Sequence, residues 1–93
     1  MIRDLSEIRV DIDSIDRQIV ELYEQRMALT KQVAEYKIAN NKPVLDAARE
    51  AAKLDKVESL VENRENAKGA RALFEAIMAI SRAQQQELID AHK

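Results

Sequence analysis

The chain has a narrow choice of groups with which to do chemistry. Its 93 residues include no cysteine and a single histidine, His92, beside the last residue. Disulfides, thiolate metal sites and cysteine nucleophiles are excluded, and neither histidine catalysis nor zinc ligation is expected. Any chemistry falls to Arg, Lys, Asp, Glu, Gln and Ser, and several of these stand where apolar residues belong. The apolar series Ile8, Ile12, Ile15, Ile19, Leu22 steps next to Arg26. Lys37 lies eleven residues further on, and eleven helical steps of ~100° return to within about 20° of the same face. The series Leu54, Val57, Val61 runs backwards to Glu50, next to Arg49. The series Leu73, Ile77, Ile80 runs forwards to Ser81, Gln84 and Gln85, with Ser81 and Gln85 one turn apart. Buried charge is costly unless it is paired or reserved for a ligand. One polar pocket lined by all three segments is the simplest common account.

Each residue also has a plainer reading. Arg26 suits an ion pair or a register-setting polar residue in a helix seam. Glu50 suits a favourable dipole partner near a helix start, and Asp46 a simple cap. Gln84-Gln85-Gln86 reads as a polar helix end, Ser81 as a satisfied core hydroxyl, and His92 as a solvated tail residue. The convergence of the set, and no single member, carries the functional reading.

The elements that must position these residues are helices. One glycine, Gly69, and one proline, Pro43, leave few places where a helix has to stop. From Leu5 to about Asn40 nothing breaks the pattern, so the apolar steps predict one long amphipathic helix. The stretch Asn40-Asn41-Lys42-Pro43 ends it, because a residue before proline is pushed out of the helical region. Asp46 is placed to cap a second helix over about 47–61, Asn63 to Asn66 form a turn, and a third helix runs over about 67–90. Leu29, Val33 and Tyr36 extend the stripe of the first helix, and Leu73, Phe74, Ile77, Ile80 and Leu88 form that of the third.

The expected architecture is therefore all-α, a single domain over 1–93. A helix of about 36 residues is ~54 Å long, against about 30 Å for a compact domain of this size. Two shorter helices cannot cover its seam, and the near-heptad spacing is what a second copy packs against. The expectation is an intertwined homodimer with first helices paired. A net charge of −2, a pI near 5.4 and three aromatics give no footprint for nucleic acid. No apolar run is long enough for a membrane span and the first residues do not resemble a secretory leader, so a cytoplasmic protein is expected.

The segments Arg9-x2-Ile12-Asp13-x2-Asp16, Leu22-x3-Arg26, Val33-x3-Lys37, Pro43-Val44-x-Asp46-x2-Arg49-Glu50 and Ile77-x3-Ser81-x2-Gln84-Gln85 together resemble the all-helical class of chorismate mutases. The likeness covers nearly the whole chain in order; residues 62–72 align least well. It implies an intertwined homodimer that converts chorismate to prephenate in phenylalanine and tyrosine biosynthesis, with no cofactor and no metal. It puts Arg26 and Lys37 on the substrate carboxylates, with Lys37 also reaching the ether oxygen, and Arg9 on the same substrate from the partner chain. It puts Glu50 on the ring hydroxyl with help from the Asp46 backbone, Arg49 and Ser81 in support of carboxylate binding, and the Gln85 amide on the ether oxygen. Independently, Arg9 and Arg26 are 17 residues apart on one helix, ~25 Å, too far to grip one small molecule together.

Two other readings remain. An isochorismate pyruvate lyase resembles this fold and needs the same carboxylate clamps. A non-catalytic helical dimerisation module would use Arg26, Lys37 and Glu50 as buried ion pairs, but has no need of Arg9, Arg49, Ser81 and Gln85 together. Every residue is used by the one domain, so no attached catalytic or regulatory domain and no feedback inhibition within the chain are expected.

Overall fold

The computed structural model describes residues 2–93. Three helices account for most of the chain: α1 (Leu5–Ala39), α2 (Ala47–Leu60) and α3 (Ala67–His92), with a 3₁₀ turn at Arg64–Asn66 before α3. The helices and their breaks match the sequence expectation to within two residues at each end.

The stop after α1 has a cause the sequence reading did not identify. Asn41 adopts φ 54°, in the left-handed region. Its N–H reaches the Ile38 carbonyl at 3.4 Å, and the Lys42 N–H reaches the Lys37 carbonyl at 2.8 Å. These two bonds are those of a Schellman ending, with asparagine in the place glycine usually takes. Pro43 follows the stop without causing it. Asp46 begins α2 as expected, its Oδ1 accepting the Arg49 N–H at 3.0 Å. In the second turn Arg64 Nη1 donates to the carbonyls of Glu58 at 2.9 Å and Val61 at 3.0 Å, covering the open carbonyl end of α2. Asn63 Oδ1 accepts the Glu65 N–H at 3.1 Å and starts the 3₁₀ turn.

α3 is the central element. It packs against both α1 and α2, whereas no Cα of α1 comes within 8 Å of one in α2. Pairings between side chains give the directions. Arg26 meets Ser81 and Lys37 meets Gln85, so α1 and α3 run parallel. Glu50 meets Arg82 and Glu58 meets Arg71, so α2 runs antiparallel to α3. Arg71 also bonds Asp55 at 3.1 Å, and these two hydrogen bonds, first to Asp55 and then to Glu58, hold its guanidinium above its ordinary value.

Inside the chain α1 uses a different stripe from the one expected. Ala34 is wholly buried under α3, with Met27, Thr30 and Ile38 half-buried around it, while Leu29 and Tyr36 are 60% and 59% exposed. Small and short side chains let α3 approach closely, and the large apolar ones face outward. On α3, Met78, Ser81 and Gln85 are buried whereas Leu73 and Ile80 face out. Every residue from Arg9 to Leu22 is exposed, Ile12, Ile15 and Ile19 among them, so half of α1 projects as an uncovered arm. The molecule measures 58 × 25 × 14 Å, its long dimension set by a 35-residue helix.

Candidate active site

The C-terminal half of α1, the α1–α2 turn, the first turns of α2 and the C-terminal half of α3 enclose one cleft of about 140 Å³. The cleft is open to solvent on one side and small beside the ~300 Å³ at which ligand pockets usually begin. The cleft gathers Arg26, Lys37, Asp46, Arg49, Glu50, Ser81 and Gln85, seven of the eight site residues expected from sequence. Arg9 lies outside it, exposed on the projecting arm.

Lys37 is held at two points. Its Nζ donates to the Val44 carbonyl at 2.6 Å and to Gln85 Oε1 at 3.2 Å. The first bond depends on the Schellman ending, which folds the chain back so that Val44 lies against the last turn of α1. The second fixes the Gln85 amide, since its oxygen is taken by a cation and its Nε2 has no partner among the described residues. Gln85 is only 6% exposed, yet no buried side-chain nitrogen or oxygen among the described residues lacks a partner. Nε2 therefore opens onto the cleft as a neutral donor.

Arg26 is oriented from α3. Its Nη1 donates to Ser81 Oγ at 2.9 Å, while the Ser81 hydroxyl donates to the Ile77 carbonyl one turn back at 3.0 Å. With its proton committed to Ile77, Ser81 serves as an acceptor that aims the guanidinium. Gln84 is structural: its Oε1 accepts from Thr30 Oγ1 at 2.7 Å and its Nε2 donates to the Met27 carbonyl at 3.0 Å, tying α3 to α1. Gln86 is exposed and bonds Asp90. The three consecutive glutamines thus divide into a tie, a cleft donor and a surface residue.

Five cations and two carboxylates line the cleft: Arg26, Lys37, Arg49, Lys53 and Arg82 against Asp46 and Glu50. Both carboxylates are engaged, Asp46 in capping α2 and Glu50 with Arg82. The sequence reading missed Lys53 and Arg82. Arg82 falls on the same α3 face as Met78 and Gln85, four residues after one and three before the other, and that spacing was the signal. Lys53 stands one turn after Arg49 on α2.

A locally cationic cleft in a chain of net charge −2 suits a small dianion. Guanidinium groups grip carboxylates in two-point fashion, and Lys37 with the Gln85 amide adds fixed donors for an oxygen between them.

The sequence model described as chorismate mutase type II matches residues 8–86, a span containing all eight expected site positions. Over 88 residues, 94% of the chain, the sequence is 36% identical to a bifunctional chorismate mutase/prephenate dehydratase of Buchnera aphidicola subsp. Schizaphis graminum. Over 60 residues, 64% of the chain, it is 42% identical to a chorismate mutase of Methanocaldococcus jannaschii. The matched region spans 23% of the first relative's length and 61% of the second's. No solved structure matches significantly.

Proposed function

Because the chain belongs to the chorismate mutase type II family, we propose that it rearranges chorismate to prephenate, in a cleft completed by a second copy of itself. The observation that carries this reading is the convergence of Arg26, Lys37 and Gln85 on one cleft, with Lys37 and Gln85 in contact at 3.2 Å.

The reaction is an intramolecular Claisen rearrangement: one C–O bond breaks as one C–C bond forms. No proton moves and no nucleophile is needed, so a site of cations, amides and carboxylates suffices. Clamping the two carboxylates of the substrate holds its enolpyruvyl arm over the ring in a near-attack geometry. Arg26 and Arg49 supply such clamps from this chain. Negative charge builds on the ether oxygen in the transition state, and Lys37 Nζ and Gln85 Nε2 are donors already fixed to receive it. Glu50 accepts from the ring hydroxyl.

The second copy follows from the arm. A helix without tertiary cover is marginal in water, yet every residue from Arg9 to Leu22 is exposed and Ile12, Ile15 and Ile19 form an apolar stripe along it. An antiparallel pairing of two α1 helices covers that stripe and carries the partner's Arg9 to the open side of the cleft. The half-formed enclosure in one chain supports the same arrangement. None of the helices among the described residues is long and apolar enough to cross a membrane, in keeping with a cytoplasmic enzyme.

The test is direct. Purified protein incubated with chorismate should consume its absorbance and yield prephenate, while isochorismate run in parallel should release no pyruvate. Pyruvate from isochorismate without turnover of chorismate would make it a lyase, and inertness toward both would make it a helical dimerisation module.

A further inference from the structure

We infer that Arg82 is a positioning residue that fixes Glu50 as the acceptor for the hydroxyl of the substrate; this rests on the chorismate reading above. Arg82 Nη1 is paired with Glu50 Oε1 across the α2–α3 boundary, with the two side chains 36% and 23% exposed. The family resemblance does not single out Arg82.

Three observations carry the assignment. Glu50 stands in the first turn of α2, in a cleft that also holds Arg26, Lys37, Arg49 and Lys53. A carboxylate among several cations has several possible partners, and Arg82 determines which one it takes. Arg82 also lies on α3 between Ser81, which aims Arg26, and Gln85, which meets Lys37. The ion pair therefore registers the acceptor on α2 to the same helix that orients the donors of α1. Finally, only Oε1 is engaged, and Oε2 has no partner among the described residues, so one oxygen stays open to a hydroxyl donor. An isolated carboxylate would repel a dianionic substrate. With Arg82 against it, Glu50 accepts a hydroxyl hydrogen bond at little electrostatic cost.

A hydroxyl held equally in ground and transition states contributes to KM and not to kcat. The experiment is a double-mutant cycle on chorismate turnover with Arg82→Gln, Glu50→Ala and the pair, with Arg82→Lys as rescue and thermal melts of each. Arg82→Gln should raise KM about tenfold, with kcat nearly unchanged and the protein folded at the assay temperature. The double variant should be no worse than Glu50→Ala alone. Arg82→Lys should restore most of the KM, because a single N–H···O contact does not need a planar fork. Losses that multiply in the double variant would mean that Arg82 touches substrate itself. A fall in kcat, or a melt below the assay temperature, would reduce Arg82 to a scaffold role, and an unchanged KM would also overturn the assignment. A wild-type protein inert toward chorismate would instead sink the parent reading.

Discussion

Lys37 and Gln85 meet at 3.2 Å, cation to amide oxygen, and that contact decides which way the amide faces. A glutamine can present either end to a ligand. Here Lys37 takes the oxygen and leaves the nitrogen for the cleft, so donors from two helices line it side by side. The Val44 carbonyl at 2.6 Å completes the constraint on Lys37.

Removing one donor from such a pair should be costly. Lys37→Ala should fold, as judged by circular dichroism, while losing on the order of 10²–10³ in kcat, the usual loss for a preorganised donor to a developing oxyanion. Arg26→Ala should also fold and lose most activity, through the missing carboxylate clamp. Wild-type turnover by either folded variant would refute the site.

The amide at position 85 sets the pH response. A neutral amide donates at every pH, so wild-type turnover should be nearly flat from about pH 5 to 8. Gln85→Glu donates only when its carboxyl is protonated, so its activity should rise as pH falls through the titration of that carboxyl. A variant profile superimposable on the wild type would remove Gln85 from the reacting oxygen.

Sharing of the cleft between chains can be read by complementation. Arg9→Ala and Arg26→Ala chains, unfolded together and refolded, should form mixed dimers with one intact and one doubly damaged site. About half of the chains enter mixed dimers on random pairing, so roughly a quarter of wild-type sites should return. No recovery above the parent variants would place Arg9 outside the site.

The Schellman ending links stability to activity. Asn41 has φ 54°, where a residue with an ordinary side chain is strained by about 1–2 kcal/mol. Asn41→Ala should lower stability by roughly 1 kcal/mol in urea unfolding, and Asn41→Gly should match or exceed the wild type. Because the same turn delivers the Val44 carbonyl to Lys37, Asn41→Ala should also reduce kcat. Equal stability of the two variants would contradict the strain argument.

The helices were legible in the sequence because their signals are local, the three-and-four spacing and the cap at Asp46, although the end of α1 was placed correctly for the wrong reason, at Pro43 instead of the left-handed Asn41. Five of the cleft residues, Arg26, Lys37, Glu50, Ser81 and Gln85, were legible as polar interruptions of apolar stripes, whereas Asp46 read as a cap and Arg49 entered through the family resemblance. Other features depend on tertiary geometry. Ala34 buries completely while Tyr36 does not, because α3 needs close approach and the outward face is left for other cover. Gln84 and Gln85 differ by one step of ~100°, enough to make one a tie and the other a donor. Arg82 was missed because a charged residue beside Ser81 reads as surface until α2 folds over it and Glu50 meets it.

Among the described residues no large side chain is fully buried, and this bears on how the protein comes to be folded at all. A lone chain has little interior to drive collapse, so if the second copy proposed above supplies the missing cover, meeting that copy and acquiring structure should coincide. On that proposal the melting temperature should rise with protein concentration, which thermal melts of a dilution series would read. The amount of protein made should then count in activity beyond simple proportion, since dilution of such a dimer would take away fold and cleft together.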